Sequence, residues 1–397
     1  MRRRNRRTSF IYPCCLYRRT NFVPRGNPNM TRLEPLQQIG RNYVRFRGRK
    51  LLYFSGCNYF RLASHPAVLK AAIDGLKKFG LNVAASRLTT GHHEIYEKLE
   101  RELARFFATE DALLLASGYM TSAVVGQALA GSFPHALVDE CAHPALLDAA
   151  GQLDCLVLKF KHRDPEDFAR AVARCGKGAP VILLTDGMFS RDGSVAPLKA
   201  YLKFLPAEGL ILVDDAHGAG VLGKNGRGTP EFENVSRHRI VQCVTFSKAF
   251  GVYGGAILGT RKLRGKIFAR SRMFVGHTPP PLPLANAVLQ SVKILGADKS
   301  FRSRLNRNAD YVKAALRQAG LKFPETPGPI VQLQIENEAA LAALTCELLA
   351  AGIYPPLLKY LCTSNGCLRF VISSEHTRAE LEQLLTVLTK TGWRDGV

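Results

Sequence analysis

The chain has 397 residues, 46% of them hydrophobic and 22% charged, which is ordinary for a globular protein and excludes collagen-like and wholly disordered chains. No apolar run approaches the roughly 18 residues of a membrane-spanning helix, so we expect no membrane partner. The formal net charge of +23 suits an anionic partner, but beyond residue 29 it is spread without a basic motif, and we expect no nucleic-acid partner.

Residues 1–30 form a basic N-terminal extension that we predict to be disordered. Residues 1–29 contain eight arginines and no lysine or acidic residue. The apolar part "FIYPCCLY" is interrupted by Pro13 and lacks a small-residue cleavage site, so it makes a poor secretory signal. A transit peptide and an over-long gene model with its start at Met30 both stay open; we favour the second, because globular patterning begins just after it.

A predicted pair of strands and a predicted helix come before the first apolar runs of the main domain. Residues 31–57 contain "NYVRFRGRKLLYF", which predicts a pair of strands, and we expect this segment to join a smaller domain. The stretch "HPAVLKAAIDGLKKFG" begins a helix at Pro66 and ends it at Gly80.

Six short apolar runs then alternate with helix-length segments. The runs are "DALLLAS", "HALVDE", "CLVLKF", "PVILLTDG", "GLILVDDAHG" and "IVQCVTFSKAFG". Continuous apolar strands separated by helices are typical of a parallel sheet covered on both faces. One such helix is predicted by "DPEDFARAVARC", with Asp164 as N-cap and proline at the first helical position. We therefore predict a large α/β domain over residues 58–283.

The pattern of predicted helices and strands changes after the proline cluster at 279–283. A long helix from about residue 284 is followed by the helical "NRNADYVKAALRQAG", the strand "IVQLQIE", the helix "EAALAALTCELLAAG", the strand "CLRFVISS" and the helix "TRAELEQLLTVLTKTG". We predict a smaller α+β domain over 284–397. The ten cysteines are scattered, with no Cys-x-x-Cys pair of zinc or redox type, and we expect reduced thiols, a reducing compartment and no metal site.

Polar residues directly follow several of the predicted strands. In open parallel sheets, ligands bind at the carboxyl ends of the strands, so these residues are candidates for a binding site. "LILVDDAHGAG" places Asp214 at a strand end with His217 three residues on, and "TFSKAFG" adds Lys248 with the hydroxyls of Thr245 and Ser247. Alone, the Asp-His pair could simply cap a strand, and an isolated lysine is far more often a surface residue. A lysine of lowered pKa in an enclosed site can instead be a neutral nucleophile that forms a Schiff base.

A third feature is the turn in "LLLASGYMTSA", where a strand runs through Ser117 and Gly118 into a helix. The free N–H groups of a helix start favour a phosphate, although a single turn of this kind is a weak signal. The order along the chain is more specific: a phosphate-type turn, His143 near a strand end, Asp214 with His217, and then Lys248.

This order resembles the pyridoxal 5'-phosphate enzymes of fold type I, the aspartate aminotransferase fold, and within them the α-oxoamine synthases. The resemblance runs from about residue 31 to 390, and its strongest parts are "TDGMFSRDGSVAPL", "LVDDAHGAGVLGKNGRG" and "TFSKAFGVYGG". It implies a mostly parallel seven-stranded sheet in a large domain beside a smaller α+β domain.

The resemblance also implies roles for individual residues. Lys248 matches the family's Schiff-base lysine, Asp214 the partner of the pyridinium nitrogen, His217 the residue that binds the phenolic oxygen, and His143 the histidine stacked on the ring. The matches to phosphate ligands are the backbone of Gly118 and Tyr119 and the hydroxyls of Thr245 and Ser190. The substrate side is matched by Arg369, which binds the amino-acid carboxylate, and by Arg87.

The implied activity is that of a cytoplasmic, homodimeric C-acyltransferase with its active site at the subunit interface. Such an enzyme condenses a small amino acid with an acyl-CoA or acyl-carrier thioester and releases carbon dioxide to give an α-oxoamine. Within the family we expect the step that joins L-alanine to a pimeloyl thioester in biotin synthesis. Another α-oxoamine synthase, such as glycine C-acetyltransferase, and an aminotransferase remain alternatives.

Four stretches depart from the family pattern. The glycine-rich stretch before Arg87 is reduced to "VAASRLTTGHH", and Tyr96 replaces a histidine in "IYEKLE". His277 and the preceding glycine in "VGHTPPP" replace a Ser-Thr pair, and Cys57 in "CNYFRL" replaces an asparagine. We expect these changes to lie near the acyl channel or the subunit interface. His277 could bind phosphate as a cation or pack at the interface, and the sequence favours neither.

Overall fold

The computed structural model describes residues 34–358 and 367–390, so the extension predicted over residues 1–30 lies outside the described part of the chain. The strands are β1 Gln37–Ile39, β2 Tyr43–Phe46, β3 Arg49–Leu52, β4 Asp111–Leu115, β5 His135–Asp139, β6 Leu156–Phe160, β7 Val181–Asp186, β8 Leu210–Asp214, β9 Ile240–Thr245, β10 Gly255–Gly259, β11 Ile330–Gln334, β12 Leu357–Leu358 and β13 Cys367–Val371. The α-helices are α1 Pro66–Phe79, α2 Glu94–Phe107, α3 Gly118–Ala128, α4 Pro144–Ala150, α5 Pro165–Arg174, α6 Leu198–Phe204, α7 Thr229–Phe232, α8 Arg261–Arg270, α9 Arg272–Gly276, α10 Leu282–Ala297, α11 Ser300–Gln318, α12 Glu338–Ala350 and α13 Arg378–Leu388.

The predicted main sheet has seven strands in the order β4-β10-β9-β8-β7-β5-β6. The six apolar runs of the sequence are β4 to β9, and every adjacent pair within the part β9-β8-β7-β5-β6 of the sheet is parallel. The seventh strand, β10, is antiparallel to both β4 and β9. The predicted fold class, a mostly parallel seven-stranded sheet, is therefore confirmed.

Both faces of this sheet are buried at its centre, which is why central strands such as β7 are mostly apolar rather than alternating, whereas the edge strand β6 is mostly exposed. Along β7, Ile182 and Leu184 pack into one core cluster, and Val181 and Leu183 pack into another with the ring of Tyr201. Every residue of β7 is buried. Helices therefore cover both faces, and polar side chains are found at the strand ends.

Two predicted helices have the expected ends. Helix α1 begins at Pro66, where the His65 side chain accepts a hydrogen bond from the amide of Ala67, and it ends at Gly80, whose φ is 74°. Helix α5 follows Asp164, whose carboxylate accepts hydrogen bonds from the amides of Glu166 and Asp167. Side-chain acceptors satisfy the first orphan N–H groups of each helix.

Two small antiparallel sheets lie outside the main sheet, with strand orders β1-β2-β3 and β11-β13-β12. They share one hydrophobic core with α11, α12 and α13, in which Leu52 and Phe54 are buried together with Leu333 and Phe370. The amide of Leu52 donates to the carbonyl of Gly352 at 2.8 Å. The strands and helices predicted at both ends of the chain are present, while the domain limits 31–57, 58–283 and 284–397 stay predictions.

The cysteines and the helices bear on two further expectations. The thiols of Cys57, Cys141, Cys155, Cys175, Cys243 and Cys346 are free. The expectation that every cysteine is reduced is wrong for Cys367, which is disulfide-bonded. Among the described residues, no helix has the length and apolar character needed to cross a membrane.

Candidate active site

The carboxyl ends of the main-sheet strands open onto a cavity of about 200 Å³. It is lined by Ser117, Gly118, Tyr119, His143, Ala145, Asp186, Asp214, Ala216, His217, Thr245, Ser247, Lys248, Tyr253 and Gly254. Because β5, β7, β8 and β9 are consecutive in the sheet, residues far apart in sequence meet along one edge. Seven of the eight predicted cofactor residues line this cavity; Ser190 is the exception.

Lys248 lies three residues beyond the end of β9 and is half-buried, whereas the neighbouring Ala249 and Phe250 are fully buried in the core. Among residues 34–358 and 367–390, the Lys248 ammonium has no hydrogen-bond or ion-pair partner. An amine held at a cavity wall without an internal partner is available to react with a bound molecule.

Two aspartates stand side by side at the ends of β7 and β8, where Asp186 and Asp214 are register partners. The Asp214 carboxylate accepts a hydrogen bond from the amide of Ala216 at 3.1 Å, and Asp186 accepts one from the amide of His143 at 2.8 Å. Burial raises the pKa of Asp186 well above its ordinary value, and the Asp214 charge raises it further. Asp186 therefore tends to hold a proton, and Asp214 is the carboxylate available to a cationic ligand group.

The two histidines of the cavity are held by their Nδ1 atoms. His143 caps α4, accepting a hydrogen bond from the amide of Ala145 at 3.2 Å, and His217 Nδ1 lies 2.7 Å from the hydroxyl of Tyr59. Burial lowers the pKa of both rings; for His217 the lowering is large, and the Lys248 charge adds to it. Both imidazoles are therefore neutral at physiological pH.

The phosphate-type turn predicted at Gly118 lies against the end of β9. A Cβ at Gly118 would lie 2.5 Å from Thr245 Cβ, and one at Gly255 would lie 2.6 Å from Gly118 Cα. Only glycine permits this approach, which brings the start of α3 beside the Thr245 hydroxyl. That hydroxyl lies 2.9 Å from Ser247 Oγ. Helix N–H groups and two hydroxyls thus converge on one wall, as an anion site requires.

Of the predicted phosphate ligands Tyr119 and Ser190, Tyr119 lines the cavity and Ser190 does not. The Tyr119 amide donates to Ser117 Oγ at 3.3 Å, and its hydroxyl donates to Asp148 Oδ2 at 2.7 Å, while its ring lies 6.0 Å from that of His143. Ser190 lies beyond the cavity, where its carbonyl accepts a hydrogen bond from Arg369 Nε at 2.5 Å. Ser190 therefore contacts the predicted carboxylate binder, and its predicted role as a phosphate ligand stays a prediction.

Arg369 is buried on β13 and faces Cys57. Its two terminal nitrogens lie 3.8 and 3.9 Å from Cys57 Sγ. Cys57 thus lies beside the predicted carboxylate-binding guanidinium, and its expected location near the acyl channel or the subunit interface stays a prediction.

Arg87 lies in a buried ion pair outside the cavity. Its guanidinium donates to both carboxylate oxygens of Glu100 and lies 3.2 Å from His92 Nδ1. It also stacks 5.5 Å from the ring of Tyr96, whose hydroxyl donates to the carbonyl of Pro280 at 2.7 Å. The structure thus gives Arg87 internal partners, and substrate binding by Arg87 stays a prediction.

His277, which replaces part of the family's Ser-Thr pair, is held by its Nδ1 donating to the carbonyl of Phe274 at 2.7 Å. Its Nε2 is buried and has no partner in the described chain. Burial lowers the pKa of His277, which favours the neutral ring over a phosphate-binding cation.

Comparisons with known proteins identify the family of the chain. A family model described as aminotransferase class I and II matches residues 53–388. The chain belongs to the aminotransferase class I and II family. The 8-amino-7-oxononanoate synthases of Thioalkalivibrio sulfidiphilus and Trichlorobacter lovleyi are similar to it, at 32% identity over 348 residues (87% of this chain, 89% of that protein) and 31% over 355 (88% and 91%).

Solved structures extend the comparison. Serine palmitoyltransferase from S. paucimobilis with a bound PLP–myriocin aldimine has a TM-score of 0.85 at 25% identity, covering 92% of this chain and 93% of that one. The 8-amino-7-oxononanoate synthase of Francisella tularensis shares the fold, with a TM-score of 0.76 at 23% identity over 87% of this chain and 99% of that one. The predicted family, enzyme class and pyridoxal phosphate cofactor are confirmed.

Three residues at or beside the cavity of this class I and II aminotransferase family member were not predicted from the sequence. Asp186 and Tyr253 line the cavity, and Tyr59 contacts His217. Asp186 had a usable signal, because "TDG" ends a buried strand next to the strand that ends in Asp214. Tyr59 had none, since its contact spans 158 residues of sequence.

A further cluster of donor atoms lies at the same sheet edge. Asp139, Cys141 and His162 bring ligand-type atoms within 4.8 Å of one another. The Asp139 carboxylate accepts hydrogen bonds from the amides of Cys141 and Arg163 at 2.9 and 3.0 Å, and its Oδ1 lies 2.9 Å from His162 Nδ1. Through these hydrogen bonds the Asp139 carboxylate connects the loops after β5 and β6. We assign no metal ion to this cluster.

Proposed function

We propose that this chain is a pyridoxal phosphate-dependent C-acyltransferase that condenses a small amino acid with an acyl-CoA thioester, releasing carbon dioxide and the free thiol. The observation that carries the proposal is the single cavity lined by Lys248, Asp214, His217 and His143. Within this class we propose 8-amino-7-oxononanoate synthase, with L-alanine and a pimeloyl thioester as substrates in biotin synthesis. The named relatives at 31–32% identity support that choice.

The cavity residues fit the cofactor group by group. The start of α3 with Thr245 and Ser247 would hold the phosphate, Asp214 a protonated ring nitrogen, and His217 the phenolic oxygen. The phosphate end of this site depends on the close approach of Gly118 to Thr245, since a Cβ at Gly118 would lie 2.5 Å from Thr245 Cβ. When bound, pyridoxal phosphate supplies an electron sink for the electron pair left on the amino-acid α-carbon.

The proton chemistry belongs to Lys248. Lys248 lines the cavity, and no residue in the described part of the chain gives its Nζ a hydrogen-bond or ion-pair partner. It can therefore attach the cofactor at rest and, once freed, take the α-proton of the amino acid. Lys248 is therefore the general base of the proposed reaction.

Arg369 would bind the carboxylate of the amino acid. Its Nε is fixed on the Ser190 carbonyl, and its terminal nitrogens face the thiol of Cys57, a weak hydrogen-bond acceptor. A carboxylate is a much stronger acceptor than a thiol, so a substrate can displace that contact. Arg87 remains a proposed second substrate contact.

A homodimer with its site at the interface is part of the proposal. Leu69, Ile73 and Leu76 of α1 lie three and four residues apart and are 48%, 52% and 45% exposed. An exposed apolar stripe on one helix face is typical of a surface that packs against another chain. The cytoplasmic location predicted from the sequence also stays within this proposal.

The decisive experiment adds L-alanine, glycine and L-serine separately to the purified holoenzyme and follows the cofactor absorbance. We expect L-alanine to change the band, and thiol release from pimeloyl-CoA to require L-alanine, with the product identified by mass spectrometry. If no small amino acid alters the band, the proposal is wrong. Conversion to the pyridoxamine form without thioester would identify an aminotransferase.

The same assay separates the other members of this class. The similarity to serine palmitoyltransferase, with its TM-score of 0.85, makes that activity the second candidate. It predicts that L-serine with a long-chain acyl-CoA gives the fastest thiol release. Release with glycine and acetyl-CoA would indicate glycine C-acetyltransferase.

A matched pair of arginine variants tests the carboxylate site. Arg369→Lys should raise the KM for the amino acid about tenfold to a hundredfold, because it loses charge-assisted hydrogen bonds of a planar group. Arg302→Lys is the control, since Arg302 is equally buried but donates to the Leu295 carbonyl on α10 at 2.9 Å. Equal KM values for Arg369→Lys and the wild type would contradict the assignment.

A further inference from the structure

The hydroxyl of Tyr59 lies between the cofactor side and the substrate side of the site. Tyr59 is fully buried, and its oxygen is 2.7 Å from His217 Nδ1. The same hydroxyl interacts with the Cys57 thiol and the Arg369 guanidinium. One side chain thus contacts the histidine assigned to the phenolic oxygen and the arginine assigned to the substrate carboxylate.

The directions of these hydrogen bonds follow from what each group can donate. A guanidinium only donates, so the Tyr59 oxygen accepts from Arg369 and its own proton is free to be donated elsewhere. Sulfur is a weak acceptor, so the ring nitrogen of His217 is the preferred target.

The protonation states are consistent with that direction. Burial raises the pKa of Tyr59 well above its ordinary value, so the phenol keeps its proton. Burial lowers the pKa of His217 well below its ordinary value, and the charges of Lys248 and Arg369 lower it further, so the imidazole is neutral. A neutral imidazole has one acceptor nitrogen. If Nδ1 accepts from Tyr59, Nε2 carries the ring proton.

We propose that Tyr59 is a positioning residue that holds His217 in the Nε2–H tautomer and links that ring to Arg369. The inference rests on the proposed function, because His217 and Arg369 are assigned there to the cofactor and the amino acid. His217 then offers the cavity a hydrogen-bond donor, as the anionic phenolic oxygen of the cofactor requires. An anion bound at Arg369 competes with Tyr59 for the guanidinium hydrogens, so amino-acid binding is transmitted to His217.

The first test needs no variant of Tyr59. Nitrogen-15 NMR of the histidine rings in the full-length protein, with and without pyridoxal phosphate, should show His217 neutral with its proton on Nε2; a His217→Gln variant assigns the signal. A proton on Nδ1 of His217 would overturn the proposal, whatever the protein does catalytically.

The second test compares two tyrosines. Tyr59→Phe should leave His217 as a mixture of tautomers, weaken cofactor binding about 3- to 10-fold and raise the KM for the amino acid more than it lowers kcat. Tyr96→Phe is the control, because Tyr96 is also fully buried with a hydrogen bond of 2.7 Å, but its hydroxyl donates to the Pro280 carbonyl and not to His217. It should leave the tautomer of His217 and the affinity for the cofactor unchanged.

The outcomes separate this inference from the proposed function. An unchanged His217 tautomer in Tyr59→Phe, or an equal effect of Tyr96→Phe, would refute the positioning role even if acyl transfer is observed. If the wild type shows no acyl transfer but His217 carries its proton on Nε2 and loses that preference in Tyr59→Phe, the proposed activity fails and the role of Tyr59 toward His217 stands.

Discussion

Two regions of the molecule each hold a lysine away from bulk solvent, and they treat it in opposite ways. Around Lys313 on α11, the buried ammonium donates to the carbonyls of Thr326 and Gly328 at 2.7 and 2.5 Å. Around Lys248, at the end of β9, no described residue gives the ammonium a hydrogen-bond or ion-pair partner. Neighbouring carbonyls satisfy the first lysine, whereas the second faces a cavity.

The difference separates a structural charge from a reactive one. A buried cation with several acceptors joins the parts of the chain that provide them, here α11 and the segment at 326–328. That segment in turn contacts the loop before α6, because Thr326 Oγ1 donates to the Asp192 carbonyl at 3.0 Å. A lysine left without acceptors at a cavity wall contributes little to folding and is suited to bond a ligand.

Replacing Lys248 should give the largest effect on activity and almost none on stability. We expect Lys248→Ala to abolish the absorbance of the lysine-linked cofactor and to lower kcat by about 10²- to 10⁴-fold, the range typical of a lost general base. Its thermal unfolding temperature should match that of the wild type when both lack the cofactor. An unchanged spectrum would refute the assignment of Lys248.

The buried ion pair of Arg87 and Glu100 tests the same contrast between a structural and a functional charge, here for an arginine. We expect Arg87→Met to lower the free energy of unfolding by about 3–5 kcal/mol, because Glu100 is left as a buried carboxylate with fewer partners. Denaturant unfolding measures this change. The control is Arg101→Met, since Arg101 is exposed and its pair with Glu97 spans 3.4 Å at the surface.

The KM for the acyl thioester then tests the proposed substrate role of Arg87. At a temperature where Arg87→Met stays folded, that role predicts a raised KM as well as the loss of stability. A loss of stability with an unchanged KM would leave Arg87 a purely structural residue.

The sheet and the residues at its edge were predictable because local sequence encodes them. Buried parallel strands are mostly apolar, so the runs of β7 and β8 end visibly at their first polar residues. The carboxyl ends of parallel strands share one edge, which places Asp214 and Lys248 together before any coordinates are known. Strand β10 was not singled out, because its five residues lie in a glycine-rich stretch without a strong strand pattern.

The partners of the substrate side could not be predicted, since they depend on long-range packing. Arg87 is close to Glu100 in sequence, yet only the packing of α2 against β4 buries both. The contact of Arg369 with Cys57 joins residues 312 positions apart. Local sequence patterns do not encode such long-range contacts. The family resemblance therefore suggested Arg87 and Arg369 as substrate residues but did not predict their contact partners.

Replacing Lys313 should give a smaller effect, on stability alone and dependent on pH. Lys313→Met leaves buried carbonyls without their donor, which costs about 1–3 kcal/mol at neutral pH, with no change in the cofactor spectrum. Burial lowers the pKa of Lys313 from 10.5 to about 8. Between these values the unfolded chain binds the proton that the folded chain has lost, so Lys313 makes the free energy of unfolding rise with pH from about 8 toward 10.5.

Subtracting the pH profile of Lys313→Met from that of the wild type isolates this contribution, because every other titrating group is common to both proteins. The difference should increase with pH above about 8 in favour of the wild type. A difference that stays flat would mean that the carbonyls of Thr326 and Gly328 hold Lys313 charged through this range.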